Sequence, residues 1–273
     1  MKSIPLRSLL LAALTLTVAL PVRAQTTTSP GIHGLAHIAV SVASVERARN
    51  FYAKLGFEEA FHFGDDKAPT QSFLKINDRQ FIELYPASAK QPEGFLHLCF
   101  DGDDLNALYS SYAPRGLSPT PVRKAHAGNL LFTMEGPEKQ NIEYTQYLPG
   151  SLHSEDHGKH LGDHRIADTI FAVALAMRDR DAARTFYLDK LAFIQIPGHP
   201  WLLSIPGSTD GQILLETGAL LPHARVFFHV ADLKKTAADL KQRGIASTPL
   251  PHALSVTDPD GNLLVFQSAP DAE

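Results

Sequence analysis

The chain has 273 residues, a formal net charge of −4 at pH 7 and a single cysteine, Cys99. One cysteine cannot form an internal disulfide, so the fold must depend on its hydrophobic core alone. The 25 basic and 29 acidic residues are mixed along the chain, which argues against nucleic acid or an anionic membrane surface as a partner. At ~100–200 residues per domain, the length is compatible with one or two domains.

The first 24 residues have the pattern of a secretory signal peptide. Lys2 and Arg7 precede an uncharged run at 9–20, and Ala24 ends a stretch with small residues that a signal peptidase can read. The run is shorter than the ~20 apolar residues that span a bilayer, so we expect no stable membrane insertion. We interpret residues 1–24 as a signal peptide and expect an exported protein, periplasmic or secreted. The alternative is a buried first helix.

After the signal peptide the chain repeats itself. Residues 45–57 read VERARNFYAKLGF, and residues 180–193 read RDAARTFYLDKLAF. Two shorter matches follow in the same order, FLHL at 95–98 with FFHV at 227–230, and GPE at 136–138 with DPDGN at 258–262. We conclude that residues 34–148 and 166–268 are two copies of one unit.

Each copy divides again into two β-α-β-β-β units, because alternating strand patterns flank two helical stretches. In the first copy the predicted elements are strand 35–42, a helix after Ser44, strands near 57–63, 72–76 and 81–85, strand 95–100, a helix at 104–112 and strands that end in 141–147. The helix boundaries rest on N-cap types, namely Ser44, Asp103 or Asp104, Asp179 and Asp232, and on glycines suited to a left-handed C-terminus, namely Gly56, Gly116 and Gly244.

Residues 149–165 join the two copies and are rich in Gly, Asp and His, as is typical of a linker. Four histidines recur there at helical spacing: His153, His157, His160 and His164. Such a stripe could bind a metal, but the glycines within it weaken a helix. A solvated polar linker is the interpretation that we adopt.

Four βαβββ units, with DPDGN before the last strand, resemble the vicinal oxygen chelate superfamily. This group includes glyoxalase I, extradiol ring-cleaving dioxygenases, fosfomycin-resistance proteins and bleomycin-binding proteins. The resemblance covers nearly the whole chain after residue 24. It implies an α+β fold of two tandem domains, in each of which paired βαβββ modules form a cupped half-barrel sheet around a metal position.

In that family the metal ligands come from the first strand, the strand that closes the first unit, the first strand of the second unit and the final strand. The corresponding residues here are His37, Glu83, His97 and Glu143, in the contexts LAHIAV, FIELYP, FLHLCF and QNIEYT. Strand alternation puts all four on the face opposite the residues expected to pack on the helices, such as Ile38. Burying two carboxylates and two imidazoles would be costly without a neutralising cation. The resemblance therefore implies a divalent metal ion, Zn, Mn, Ni or Fe(II), in the N-terminal domain.

The second copy has lost part of this set, so we expect a degenerate, metal-free site in the C-terminal domain. Aligned position by position, His37 corresponds to Ala172, Glu83 to Glu216, His97 to His229 and Glu143 to Val265. A glutamate persists at the Glu83 position without a full site, which allows a structural role for Glu83 beside a ligand role.

The resemblance implies a small substrate that chelates the metal through two adjacent oxygens, with the metal as a Lewis acid. Glu143 or Glu83 would be the catalytic base in a glyoxalase-like proton transfer. With Fe(II), the two histidines and Glu143 resemble a facial triad suited to extradiol ring cleavage. That reaction would need a further acid or base, such as Tyr85 or His126.

Export restricts these reactions. A glutathione hemithioacetal is disfavoured as substrate because an exported protein does not meet cytosolic thiols, and Fe(II) is hard to keep reduced outside the cytoplasm. The alternative function is a binding protein of the bleomycin-resistance type, which sequesters a small molecule without a reaction. For either function we expect a monomer or a homodimer.

Overall fold

The structure, a computed structural model, describes residues 31–208, 211–218 and 223–268. The predicted signal peptide, residues 1–24, lies outside the described residues. Within them the chain forms two eight-stranded mixed sheets with a few helices, which confirms the predicted α+β class and the two tandem modules. None of the described helices is long and apolar enough to cross a membrane.

The N-terminal sheet shows the order β-α-β-β-β twice, as predicted. Its elements are β1 Ile32–Val42, α1 Val45–Lys54, β2 Glu59–Asp65, β3 Ala68–Lys75, β4 Phe81–Pro86, β5 Gly94–Gly102, α2 Leu105–Tyr112, β6 Arg123–Lys124, β7 Leu130–Glu135 and β8 Asn141–Gln146. A short helix, α3 (Leu152–Glu155), follows in the connection between the sheets.

The C-terminal sheet repeats the same order. Its elements are β9 Thr169–Met177, α4 Arg180–Thr185, β10 Ile194–Ile196, β11 His199–Ser204, β12 Gln212–Thr217, β13 Arg225–His229, α5 Leu233–Gln242, β14 Thr248–Leu250, β15 Ala253–Thr257 and β16 Leu263–Gln267. Helix α4 continues as a π-helical turn over Phe186–Lys190. The repeat in the sequence is therefore a repeat of the fold.

The two sheets have equivalent strand orders, β2-β3-β4-β1-β5-β8-β7-β6 and β10-β11-β12-β9-β13-β16-β15-β14. In the N-terminal sheet β1 is parallel to β4 and antiparallel to β5, and β5 is parallel to β8. We call the concave face over β4, β1, β5 and β8 the N-terminal cup. The equivalent face over β12, β9, β13 and β16 is the C-terminal cup.

The helices begin and end where the sequence predicts. A side-chain oxygen before four of them accepts a hydrogen bond from the first helical turn: Ser44, Asp104, Asp179 and Asp232. Of the two candidates before α2, Asp104 and not Asp103 is the cap. Gly56 follows α1 with a φ of 82°, and a Cβ there would lie 2.6 Å from the carbonyl oxygen of His164. Only glycine therefore lets the connection between the modules pass this close to α1.

The strand face predicted to pack on the helices forms the core. Ile38 and Val40 of β1 are buried in one cluster with Tyr52 of α1. The opposite face of β1 is buried as well, and His37 on that face is only 3% exposed. Polar side chains of the N-terminal cup therefore lie in a nearly dry environment.

The turn before the final strand of each module docks on the first helix of the other module. Asp258, in the DPDGN turn, accepts a hydrogen bond from the hydroxyl of Tyr52 (2.9 Å), and Asp260 accepts one from the backbone just before α1 (2.8 Å). In the mirrored contact Gln140 accepts a hydrogen bond from Tyr187 (2.6 Å). The DPDGN motif therefore joins the two modules.

The connection between the modules, residues 149–165, is not a solvated stretch throughout. Lys75 of β3 is fully buried, and its ammonium lies 2.7 Å from Asp156 and 2.8 Å from Asp78. His153 is 3% exposed, whereas the other three histidines of the stripe are exposed. The prediction of a solvated linker is therefore wrong for the first half of the connection. The buried ammonium of Lys75 needs a carboxylate as its partner, and Asp156 of this segment supplies one.

Candidate metal centre

Four neighbouring strands each contribute one polar side chain to the N-terminal cup. These are His37 on β1, Glu83 on β4, His97 on β5 and Glu143 on β8. The backbone register puts them at one level, because Ala39 of β1 pairs with both Glu83 and His97. The structure thus brings together the four residues that the sequence suggested as metal ligands.

The imidazole of His37 is the centre of this cluster. Its Nε2 atom lies 3.1 Å from Nε2 of His97 and 3.4 Å from Oε1 of Glu143. Its Nδ1 atom lies 3.2 Å from Oε1 of Glu83. In a flat sheet β4 and β8 would be separated by roughly 14 Å, yet carboxylates from both strands reach one imidazole. The sheet is therefore curled into a half-barrel.

The donor atoms have a spacing that suits one ion. Two overlapping sets have donor atoms within 4.8 Å of one another, His37 with Glu83 and His97, and His37 with Cys99 and Glu143. Bonds from a divalent metal to nitrogen or oxygen are ~2.0–2.2 Å long, so ligand atoms around one ion lie roughly 3–4 Å apart. The three distances from the ring nitrogens of His37 to His97, Glu83 and Glu143 fall in that range.

One buried nitrogen in the cluster has no hydrogen-bond partner among the residues that the structure describes. His37 Nδ1 is 3.2 Å from the Glu83 carboxylate but lacks the geometry of a hydrogen bond. A buried polar atom left in this state costs about 1–3 kcal/mol, and a cation bound there would remove that cost. The residues present therefore fit a divalent metal ion.

Burial pushes all four groups toward their neutral forms. It lowers the pKa of His37 and lowers the pKa of His97 to about 4. It raises the pKa of Glu83, although His37 opposes this, and it raises the pKa of Glu143. A bound divalent cation would instead favour the ionised forms of Glu83 and Glu143, because two ionised carboxylates would neutralise its charge.

Glu83 is held from two sides. Its Oε2 atom accepts hydrogen bonds from Gln71 and from the hydroxyl of Tyr85, both at 2.9 Å, while Oε1 faces His37. Contacts of this kind orient the ligands of metal sites. Burial and the negative charge of Glu83 raise the pKa of Tyr85, so its hydroxyl stays protonated. Sequence analysis missed Gln71, whose only signal is a polar residue on the strand next to Glu83.

Glu143 is the most accessible member of the cluster. Its side chain is 12% exposed, compared with 3% for His37 and 5% for Glu83. The neighbouring thiol of Cys99 is fully buried, and its sulfur lies within 4.8 Å of a carboxylate oxygen of Glu143. Burial, followed by the charges of Glu143 and Glu83, raises the pKa of Cys99 well above its usual range, so the thiol stays neutral. A substrate would therefore reach the cup from the side of Glu143.

His153 is a part of this cup that the sequence did not reveal. Its ring stacks on Tyr147, with centroids 4.6 Å apart, and contacts the rings of Phe61 and Phe81 at 4.9 Å. Neither ring nitrogen has a hydrogen-bond partner among the described residues. Burial, with a smaller contribution from His37, lowers the pKa of His153 to about 3, so the imidazole is neutral. A histidine in a Gly-rich and Asp-rich connection carries no signal for this placement.

His126, suggested above as an acid or base, has a packing role. Its ring stacks on Phe63, with centroids 4.1 Å apart and an interplanar angle of 11°. Among the described residues no hydrogen bond or ion pair joins it to the cluster. Tyr85, the other residue suggested for that role, is engaged with Glu83.

Backbone pairing shows which residues of the two sheets are equivalent. In the N-terminal sheet Glu83 and His97 both pair with Ala39. The equivalent alanine of β9 pairs instead with Leu214 and Arg225. These two residues, and no histidine or glutamate, therefore occupy the corresponding places in the C-terminal cup.

The expected equivalences of Glu83 with Glu216 and of His97 with His229 are wrong. The expected residues lie two and four positions further along their strands than the true equivalents. An even displacement keeps a residue on the same strand face, so strand alternation could not detect the error. Glu216 forms an ion pair with Arg225.

The C-terminal cup retains none of the four ligand types. Its equivalent positions hold Ala172, Leu214, Arg225 and Val265. The expectation of a metal-free module therefore rests on four substitutions rather than two. The argument for a purely structural role of Glu83 also disappears, because no glutamate persists at its equivalent position.

The comparisons with known proteins agree with this fold. Residues 34–144 match the family model of the Glyoxalase/Bleomycin resistance protein/Dioxygenase superfamily. No match to a curated protein was found. The 2,3-dioxygenase LapB from Pseudomonas sp. KL28 is similar in structure, with 15% identity, a TM-score of 0.68 and coverage of 90% of this chain and 96% of that chain.

Two further solved structures are similar. The Mn(II)-bound glyoxalase from Novosphingobium aromaticivorans has 16% identity and a TM-score of 0.67, over 87% of this chain and 82% of that chain. Homoprotocatechuate 2,3-dioxygenase from Brevibacterium fuscum, in an anaerobic complex with 3,4-dihydroxyphenylacetate, has 17% identity and a TM-score of 0.63, over 88% and 82%. At these identities the likeness shows the fold.

Metal content tests the cluster. The chain from residue 25 onward, reconstituted with Zn, Mn, Ni or Fe(II), is expected to hold about one equivalent of metal by elemental mass spectrometry. His37→Ala removes the central imidazole and should lower metal affinity by at least ~tenfold. His157→Ala, in the exposed part of the histidine stripe, is the matched control and should keep the metal. Loss in both variants, or retention in both, would contradict the assignment.

The pH dependence of metal affinity tests the buried carboxyls. Since the pKa values of Glu83 and Glu143 are raised, both groups keep protons at a pH where an ordinary glutamate is ionised, and the metal must displace them. Affinity should rise with pH by up to ~tenfold per unit for each proton released, and level off above the raised pKa values. Competition with a chelator measures this rise, and Glu143→Gln should make it shallower. An affinity independent of pH would contradict the buried, protonated state.

Proposed function

We propose that this chain is a metal-dependent enzyme that acts on a small molecule with two adjacent oxygen atoms. Its residues 34–144 belong to the Glyoxalase/Bleomycin resistance protein/Dioxygenase superfamily. The proposal rests on two imidazoles and two carboxylates gathered on four adjacent strands. The other sheet has the same fold without these side chains at the equivalent positions. The fold alone does not require them, which argues for a functional role.

A divalent ion bound here would supply Lewis-acid activation of a substrate that chelates it through two oxygens. The two carboxylates suit different roles around it. Glu83 is fixed by Gln71 and Tyr85, as a ligand should be. Glu143 is more exposed and has a weak thiol donor as its neighbour. We therefore assign Glu83 as a fixed metal ligand and Glu143 as the metal ligand that also transfers the proton.

Burial raises the pKa of Glu143 in the absence of a metal, and a bound divalent cation would favour the ionised carboxylate that a base requires. Its oxygen would take a proton from a substrate carbon or hydroxyl and return it to the neighbouring atom. The aromatic side chains around His153 keep one wall of the cup dry, which strengthens these polar interactions.

The number of ligands favours proton transfer over ring cleavage. Extradiol cleavage on a facial triad uses three open positions of a six-coordinate ion, two for the substrate and one for dioxygen. Four protein ligands would leave two. Ring cleavage of a catechol is the second candidate, supported by the similarity to LapB over nearly its whole length. It would require Glu83 to leave the metal.

A sequestering protein is the alternative from a different class. It is supported by the cavity of the C-terminal cup, where the positions equivalent to the N-terminal cluster hold no metal-ligating residue. A protein that only stores a ligand has no need of a second, restrained carboxylate beside the first. Catalytic turnover of any substrate excludes this alternative.

We also propose that the protein is exported, on the basis of the charged start and apolar run within residues 1–24. Export disfavours a glutathione adduct as substrate. An α-hydroxycarbonyl compound has both the two adjacent oxygens for chelation and a transferable proton on carbon, so we propose this class of substrate. N-terminal sequencing of the protein from the periplasm or medium of an expressing bacterium should begin near residue 25. An intact N-terminus on protein confined to the cytosol would contradict export.

Hydrogen exchange tests the reaction. The metal-loaded protein in D₂O, with a series of α-hydroxyketones beginning with dihydroxyacetone, is expected to exchange the hydrogen next to the carbonyl for deuterium, as followed by NMR. Glu143→Gln removes the base and should slow exchange by ~100-fold or more, while the metal stays bound. Glu155→Gln, at an exposed glutamate, is the control and should exchange at the original rate. Full activity in Glu143→Gln, or oxygen uptake with catechols in place of exchange, would contradict the proposal.

A further inference from the structure

The concave face of the C-terminal sheet holds a cavity of about 970 Å³. Ala172, Leu214 and Phe227 line it at the level where the N-terminal cup carries its cluster. The loss of the ligands has therefore left open space at the centre of this sheet. Sites for small molecules typically have volumes of ~300–1,000 Å³ and mostly apolar walls. We infer that the C-terminal cup binds an uncharged aromatic molecule without a metal.

The cup is unsuited to a cation. Arg225 stands at the position of His97, where its guanidinium forms an ion pair with Glu216. The same guanidinium lies 5.2 Å from the ring centroid of Phe227. A guanidinium has no free lone pair to offer a metal ion, so Arg225 cannot replace the ligand imidazole of His97. The ligand of this cup is therefore held by protein side chains alone.

Aromatic side chains form much of the wall. The rings of Phe171 and Phe227 lie with centroids 6.0 Å apart, and Trp201 lines the same cavity. The guanidinium of Arg180 lies 3.5 Å from the Trp201 ring centroid and restrains the orientation of the indole. Rings held at these separations make favourable offset or edge contacts with a further planar ring. The wall therefore selects an aromatic ligand.

The side chains of the wall select an uncharged ligand. The lining residues that the structure describes include His199 and His229 but no Asp, Glu, Lys or Arg. Arg225, beside the cavity, is already paired with Glu216, so a charged group would lose its hydration in the cup without gaining an unpaired partner. The side-chain amides of Gln212 and Gln267, both in the wall, make no hydrogen bond within the described part of the chain. They are available to a hydroxyl or carbonyl of the ligand.

The chain provides its own reporter for this site. Trp201 is its single tryptophan, so the indole N–H gives one NMR signal from inside the cavity. In metal-free protein labelled with ¹⁵N-tryptophan, 1-naphthol should shift this signal saturably, with a Kd on the order of 0.1 mM for a ligand of ~11 heavy atoms. Naphthalene-1-sulfonate, which has the same rings and a negative charge, should bind at least ~tenfold more weakly.

Two variants address the cup directly. Ala172→Phe fills its centre and should weaken 1-naphthol binding by at least ~tenfold, while the metal content of the N-terminal cup stays unchanged. Gln267→Leu keeps the volume but removes a polar contact, and it should weaken binding by about threefold to tenfold. Leu250→Ser, at a residue that is 38% exposed and outside the cavity, is the control and should leave the Kd unchanged.

Several outcomes would overturn the inference. They are equally tight binding of the charged and uncharged naphthalenes, unchanged binding in both cup variants, and a saturable shift that Leu250→Ser abolishes. Light scattering can give a further outcome that would overturn the inference. If the wild type is a dimer and Ala172→Phe is a folded monomer, a second copy of the chain covers the cup, and the small-molecule site is refuted.

Discussion

The burial of two carboxylates beside two imidazoles in one dry cup is the constraint on which this structure depends. Burial lowers the pKa of His37 and His97 and raises the pKa of Glu83 and Glu143. The curled sheet and the hydrogen bonds of Glu83 hold these groups close together, although burial deprives them of hydration. A bound divalent cation would offset the free-energy cost of burying these groups, because its charge matches that of two ionised carboxylates.

The second module shows the same fold without this constraint. Where the ligands would stand, small and apolar residues leave a cavity with aromatic walls, and an arginine supplies the positive charge. The two modules still depend on each other, since Tyr52 bonds to Asp258 across the interface and Tyr187 bonds to Gln140. The N-terminal module thus has a cluster of polar side chains at the centre of its cup, whereas the C-terminal module has an open cavity at the equivalent place.

Local patterns in the sequence predicted the fold, and the resemblance to a known family, supported by strand alternation, predicted the ligand cluster. Caps such as Ser44 set the helix boundaries, and strand alternation placed His37 and Glu143 on the concave face. Alternation has a period of two, so it could not reveal that Glu216 is displaced from the position of Glu83 by two residues. The burial of His153 was equally hidden, because three of its aromatic partners, Phe61, Phe73 and Phe81, are far away in the chain.

Diffraction from crystals loaded with Zn or Mn tests the central claim most directly. Anomalous scattering would locate the ion. The account predicts one strong peak in the N-terminal cup, about 2.0–2.3 Å from nitrogen atoms of His37 and His97 and from carboxylate oxygens of Glu83 and Glu143. A peak at the exposed histidines of the connection instead, or an empty N-terminal cup at saturating metal, would contradict it.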